Sequence, residues 1–493
     1  MNPLLDEREA ARWRGFLRGP ERGVNWPFVA LLAGIALFVG AMLAYLTPVG
    51  GIAVLVAGAG ALLMLRDVRW ALFALLGVIC LLPFASLPFS IGFTPTFLDL
   101  VFGALYAVWG VRLITRRQDD FVLTPVGLPV MIFVALAVFS FVLGLSHSRP
   151  TANDLRTFAE VLMGLGMFFL VVNNVRNESL LRQVTAVLVL AGTAEGAIGV
   201  FLYVLPPTWA ARFLNPLARL GYPAGLGALR YINDDPSRPM RAIGTSVDPN
   251  ILGALLVIVM AVAAVQLVAK RPVLPRFWLG VCVAVMGLCL FLTYSRSSMF
   301  GVLMAWGLVA LLRYRRLFLV LLLVGLLLLF LPQTQAYLSH FVEGIRFEDR
   351  ATQMRIGEYT DTIKLIQRYP WIGVGFVGTP DIDLYLAVAM IYLTLLGQMG
   401  IVGLIVFLVV MALFFLYLFR AWRAVPADAW VEPFLLGYGA AIFGSLMAGL
   451  FDHTLLTYPH AVALLWMTVG LGAASARLAL RGSGTQMNTD RDG

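Results

Sequence analysis

The residues best placed to do chemistry lie in Arg241-Ala-Ile-Gly-Thr-Ser-Val-Asp-Pro-Asn250, directly before an apolar run from Ile251 to Ala269. Asp248 and Pro249 spell a helix start, since aspartate caps the first N–H groups and proline suits the first helical position. Such an end turns unpaired N–H groups and the positive pole of the helix dipole outward. Arg241 can fold back over the flexible Gly244-Thr-Ser246 turn, and an arginine beside a helix end makes a cradle for phosphate. For Asp248 capping is the ordinary role and proton acceptance the second. A guanidinium so near an apolar boundary is costly unless it is paired.

Two more arginines have a similar setting. Arg296 sits among hydroxyls in Thr293-Tyr-Ser-Arg-Ser-Ser298, a tight connection between two apolar runs that needs no charge to turn; anchoring at the membrane interface is its plain alternative. Arg355 and Glu358 lie in a stretch whose apolar residues (Ile356, Tyr359, Ile363, Ile366) recur at helical spacing, so residues 352–368 are expected to form an amphipathic surface helix. Pro370 ends it and Gly373-Val-Gly375 supplies a turn. This Gly-X-Gly lacks the strand and helix of a dinucleotide site.

The elements that position these residues are membrane helices. The chain is 60% hydrophobic and 13% charged, with a mean hydropathy of +0.87, which excludes an ordinary soluble domain. Cys80, Cys282 and Cys289 fall in apolar runs without metal-ligand or disulfide spacing, and neither metal nor cofactor is expected. Apolar segments at 27–46, 49–65, 70–87, 97–111, 122–145, 157–172, 184–205, 251–269, 277–293, 297–312, 317–331, 395–418, 431–451 and 461–476 predict an all-α polytopic membrane protein of about fourteen spans (12–14). Basic residues gather in alternate connections, including Arg66/Arg69, Arg112/Arg116/Arg117, Arg176/Arg182, Lys270/Arg271/Arg276, Arg313/Arg315/Arg316 and Arg420/Arg423, which places both termini in the cytoplasm. The expected organisation is a cytoplasmic tail at 1–26 rather than a cleavable signal, a membrane domain at 27–480 with long outer loops at 206–250 and 332–384, and a flexible cytoplasmic tail at 481–493.

Long translocated loops escape the charge rule, so their arginines carry separate information. Each alone has the plain reading of lipid-phosphate snorkelling or a surface ion pair; as a set they suit an anionic substrate at the outer face, and nothing indicates nucleic acid. Within the membrane the acidic groups are Asp99, Glu160 and Glu195. Arg156 and Glu160 are spaced to pair on one helix face, whereas Glu195 has no local partner and is expected to meet an arginine in the bundle. His453 and His460 flank the last outer turn beside Asp452, where a structural role is the ordinary expectation.

Taken in order, Arg241-Ala-Ile-Gly-Thr with Asp-Pro-Asn250, Thr293-Tyr-Ser-Arg-Ser-Ser298, Arg355 followed by Tyr369-Pro-Trp-Ile-Gly-Val-Gly375, and Tyr392-Leu-Thr-Leu-Leu-Gly-Gln-Met-Gly-Ile-Val-Gly403 resemble the O-antigen ligase and polymerase superfamily. The resemblance implies a fold similar to GT-C glycosyltransferases and metal-independent glycan transfer from an undecaprenyl-diphosphate donor to an acceptor glycan or lipid, outside the cytoplasmic membrane. Arg241, Arg296 and Arg355 would then hold the diphosphate. Where the family usually has His-Asn before Tyr-Leu, this chain has Ala389 and Met390, which favours polymerisation over ligation to a lipid core. The base is left open among Asp248, Glu358, Asp381, Asp383 and His453. The alternatives are a lipid-linked oligosaccharide flippase or transporter, which fits the helix number but wants more mid-membrane charge and an internal repeat, and a scaffold, which leaves the ordered motifs unexplained.

Overall fold

The computed structural model describes residues 60, 63–64, 67–90, 92–115, 121–146, 149–313, 350–377 and 390–489, the side chains of 350–356 and 482–489 excepted. The chain divides into two compact units, Met1–Arg66 and Asp67–Gly493. The first contributes only helical Gly60, Leu63 and Met64 to the described residues. The expected spans at 27–46 and 317–331, and nearly all of 49–65, lie outside them.

The described residues are 75% helix. The second unit runs α1 (Val68–Leu81), α2 (Phe97–Ile114), α3 (Gly127–Gly144), α4 (Ala152–Asn174), α5 (Glu178–Val204), α6 (Pro207–Leu214), a hairpin of β1 (Arg230–Tyr231) and β2 (Met240–Arg241), then α7 (Pro249–Val268), α8 (Arg276–Leu292) and α9 (Arg296–Leu312). It continues with α10 (Arg350–Arg368), α11 (Ile391–Ala424), α12 (Glu432–Ala448), α13 (Thr454–Thr457) and α14 (Pro459–Thr489). Among the described residues, seven helices are long and apolar enough to cross a membrane, and the four shorter apolar ones are α1, α8, α9 and α12. Each coincides with one of the segments read from the sequence.

Two helices form the centre. The apolar window of α7 is 83% buried and that of α14 is 94% buried. α7 packs against α12, α9, α8 and α5, while α14 packs against α4, α11 and α12. Small residues allow the close contacts: a Cβ on Gly301 of α9 would lie 2.8 Å from the Gly444 carbonyl of α12. Dispersion between close backbones is what joins helices where lipid is as apolar as leucine. Trp466 stacks on Phe133 with ring centroids 5.6 Å apart.

The side chains sort into two ends. At one, arginines and lysines tie the connections together: Arg182 donates to the carbonyls of Arg271 and Pro272, Lys270 and Arg313 reach Asp428 at 2.8 and 3.0 Å, and Arg477 donates to the Val172 and Val175 carbonyls. At the other, the connection 82–96 meets the long loop after α5, with Ser86 N–H donating to Leu220 carbonyl at 2.8 Å and Phe84 N–H to the Tyr222 hydroxyl at 3.3 Å. That loop has its own small core of Leu202, Ala210, Leu214, Ala228, Leu229 and Ile243.

Helix α11 breaks at Gly400, whose φ of +66° is a left-handed conformation. Residues from the Tyr-Pro-Trp-Ile-Gly-Val-Gly motif fill the break. Ile401 N–H donates to Pro370 carbonyl and Val402 N–H to Trp371 carbonyl, while Val374 and Gly375 donate back to the carbonyls of Gly397 and Gln398. Ser140 of α3 completes the splice with a hydroxyl bond to Gln398 carbonyl at 2.5 Å. Irregular backbone inside a membrane is tolerated only when other protein groups satisfy it in this way. A side chain at Gly400 would strike Trp371. Gly400→Val is therefore expected to destabilise the protein by about 3 kcal/mol or more from backbone strain and overlap, seen as a lower melting temperature of the purified protein in detergent.

Candidate functional site

Arg241 is held by both of its neighbours. Its Nε donates to the Thr293 carbonyl at 2.8 Å and its Nη2 to Asn250 Oδ1 at 3.0 Å. Thr293 begins the turn that carries Arg296, and Asn250 lies in the first turn of α7. The guanidinium thus clamps the start of α7 to the turn that opens α9. Arg296 is the first residue of α9, so two helix N-termini and two half-buried arginines share one end of the bundle. Positive dipole ends and cations together favour an anion there.

Asp248 caps α7 as the sequence predicts, and Pro249 takes the first helical position. The expectation of unpaired N–H groups at this end is corrected: Asp248 Oδ1 accepts from Asn250 N–H at 2.7 Å and Ile251 N–H at 3.3 Å. What remains toward a ligand is the dipole and the arginines.

The turn before Asp248 is fixed from below by Glu195. This carboxylate is fully buried, and the arginine expected beside it is not found among the described residues; its partners are Thr245 and Ser246 instead. Glu195 Oε1 accepts from Thr245 N–H at 2.8 Å, Ser246 N–H at 3.1 Å and the Ser246 hydroxyl at 3.0 Å, and Oε2 from the Thr245 hydroxyl at 2.8 Å. A buried carboxylate is tolerable when hydrogen bonds replace its water, and here they do. Gly244, at φ +56°, passes so close that a Cβ would overlap Glu195. Val247 then adopts φ +61° in a three-residue turn closed by Asp248 N–H on Ser246 carbonyl at 2.6 Å. A β-branched residue in that conformation is strained, and the Glu195 anchor holds the turn in it.

Other groups gather at the same end: His453, one of the candidate bases, with Asp452 and His460, and two residues the sequence does not single out, Arg230 and Tyr458. Arg230 pairs with Arg241 across the hairpin, placing a third arginine beside the second. Burial, reinforced by the Asp248 and Asp452 carboxylates, pushes the Tyr458 hydroxyl above its usual range, while Arg230 pulls it down. Tyr458 therefore stays a proton donor at neutral pH. His453 stacks on Tyr458 and bonds Thr457 through Nδ1 at 2.9 Å; Asp452 accepts from the Thr454 hydroxyl. His460 is buried against Phe84, with centroids 5.0 Å apart. The signal for Arg230 was its place among the loop arginines; for Tyr458 there was none, because only folding brings α13 to the α7 start.

Arg355 and Glu358 stand on a different element. Helix α10 forms over Arg350–Arg368 and packs on α11, burying Thr362 and Leu365. The Arg355 side chain, Asp381, Asp383 and Ala389 lie outside the described residues. Met390 caps the start of α11.

The family described as O-antigen ligase matches residues 281–408. The matched stretch runs from α8 into α11 and so contains Arg296, Arg355, Glu358 and the Gly400 break. The match bears out the resemblance to the O-antigen ligase and polymerase superfamily and points to a multi-pass membrane enzyme of glycosyl transfer. A search among curated proteins gives no match.

Proposed function

We propose that the chain is an inverting, lipid-diphosphate-dependent glycosyltransferase of GT-C-like fold with about fourteen spans, acting outside the cytoplasmic membrane. Undecaprenyl-diphosphate-linked glycan is the donor, and a surface or exopolysaccharide repeat is the product extended. The observation that carries this reading is Arg241 tying the start of α7 to the turn that opens α9, which gathers Arg241, Arg296 and the positive ends of two helix dipoles at one end of the bundle. Arg241 and Arg296, joined by Arg355, hold the diphosphate.

The acceptor hydroxyl oxygen attacks the anomeric carbon as that carbon's bond to the diphosphate oxygen breaks. The bonding pair leaves with the diphosphate, whose growing charge the arginines and helix ends stabilise. The hydroxyl proton passes to a carboxylate, for which Asp248 beside Arg241 is the first candidate and Glu358 on α10 the second. Transfer in one step inverts the configuration.

Asp248→Asn separates its two roles, because asparagine caps a helix about as well as aspartate but takes no proton. As base, Asp248 makes that variant lose roughly 10²–10⁴-fold in turnover with unchanged expression and melting temperature. Normal turnover in Asp248→Asn passes the role to Glu358, tested in the same way with Glu358→Gln. The proposal as a whole is tested by glycan length after deletion of the gene: the polymer is expected to collapse to single repeats, and an undiminished length distribution would overturn it.

A further inference from the structure

The polar groups around Tyr458 have hydrogen-bonding capacity that the fold does not use. Among the described residues, the Tyr458 hydroxyl and the Arg230 guanidinium bond no protein group, and both side chains are half-buried. Asp248 uses only Oδ1 to cap α7. Asp452 likewise gives Oδ1 to the Thr454 N–H at 2.8 Å and to the Thr454 hydroxyl. One oxygen of each carboxylate is left over. His460 is 4% exposed, and its Nε2 has no partner among the described residues. A buried polar atom without a bond costs stability, so this many open groups in one place call for a reason.

Packing brings them together. The Tyr458 ring stacks on His453 with centroids 6.4 Å apart, lies 5.8 Å from His460 and meets Phe84 edge-on at 6.0 Å. α13 packs against α7, which sets Tyr458 within electrostatic reach of Asp248, Asp452 and Arg230. Arg230 comes from β1, opposite Arg241, whose own guanidinium is tied to Thr293 and Asn250.

Charge decides what such a cluster takes. Two carboxylates stand against one arginine around the tyrosine, so its surroundings disfavour a diphosphate, which Arg241 and Arg296 attract. The groups match a sugar instead. Each sugar hydroxyl both donates and accepts: carboxylate oxygens take its proton, while the tyrosine hydroxyl and arginine N–H groups donate to its oxygen. The negative faces of aromatic rings suit the C–H face of a pyranose. A few convergent polar groups on an aromatic lining is the usual make-up of a small-molecule site.

We propose that Tyr458 and Arg230 bind the acceptor sugar and hold its attacking hydroxyl against Asp248. This rests on the transfer reading above and gives that reading an acceptor side. Tyr458 and Arg230 touch the sugar without exchanging a proton; Asp248 keeps the role of base.

The probe is the free repeat oligosaccharide, released by mild acid from lipid-linked repeats of the source cells, so that it carries no diphosphate. Its binding to full-length protein in nanodiscs is followed by saturation-transfer NMR, beside the binding of undecaprenyl diphosphate alone. Tyr458→Phe keeps the ring packing and is expected to weaken oligosaccharide binding about three- to tenfold, the loss of one hydrogen bond. Arg230→Gln, which removes a charged donor, should weaken it about tenfold or more. Both variants keep wild-type affinity for undecaprenyl diphosphate, and Tyr458→Phe keeps the wild-type melting temperature. Unchanged oligosaccharide affinity in either variant, or no binding by the wild type, overturns the proposal; Tyr458 is then an interfacial anchor. Weakened binding of undecaprenyl diphosphate also overturns it, because the cluster then belongs to the donor. Failure of the transfer reading shows separately, as wild-type protein that binds the oligosaccharide but makes no polymer from lipid-linked repeats.

Discussion

Arg241→Ala is expected to abolish polymer formation while leaving the protein expressed and folded. The reasoning begins with what the side chain does at rest. Two of its N–H groups tie α7 to the turn before α9 through Asn250 and Thr293. Asn250 is half-buried, where water can replace the lost bond at a net cost of about 1 kcal/mol. Thr293 is buried and its carbonyl left unpaired costs about 1–3 kcal/mol, and the fold is expected to survive the sum. The loss on the donor is far larger. A fixed cation facing a leaving diphosphate acts where charge develops, and deleting one such donor commonly costs roughly 10²–10³-fold in rate. Arg241→Lys keeps the charge but loses the planar fork that bonds two partners at once, so it should fall between the wild type and alanine. Glycan length on gels and the amount of protein in the membrane, measured on the same cells, check this. Full-length polymer in Arg241→Ala would remove the diphosphate role.

Glu195→Ala is expected to damage both stability and turnover. The carboxylate receives two backbone N–H groups and two hydroxyls in a site without exposure to solvent. Alanine leaves these donors unpaired in a cavity, where removing one side of a buried charged network costs about 3–5 kcal/mol. The strained turn at Val247 loses its anchor at the same time, and Arg241 and Asp248 lie at its two ends. Glu195→Gln preserves shape and one acceptor oxygen but turns an NH2 group toward donors, so it should retain part of the stability. Melting temperature and turnover, taken together, check the claim: alanine should lower both, and glutamine should lower both less. A Glu195→Ala protein as stable as the wild type would show that the turn needs no anchor.

Much of the architecture is legible in the sequence because lipid imposes a simple demand. Every span must be apolar and long, and the eleven described apolar helices coincide with segments found on that basis alone. The Asp248 cap and the Arg156–Glu160 pair are local in sequence, so spacing suffices to find them. What is not legible is long-range. Glu195 and Thr245 are far apart in the chain, and a lone intramembrane acid suggests a cation when its partners are in fact amides and hydroxyls. The helix break at Gly400 looks like one more glycine in an apolar run; only the arrival of Pro370 to Gly375 makes it a splice. Tyr458 reaches the Asp248 region through the packing of α13 and α14, which no periodicity encodes. Arg230 needed the hairpin register to place it opposite Arg241.

The most direct test of the central claim is reconstitution of the purified protein in liposomes with labelled polyprenyl-diphosphate glycan, following glycan length and free polyprenyl diphosphate together. Lengthened glycan appearing with stoichiometric release of the lipid diphosphate, both lost in Arg241→Ala, is the predicted result. Movement of the lipid across the bilayer with glycan length unchanged would contradict it.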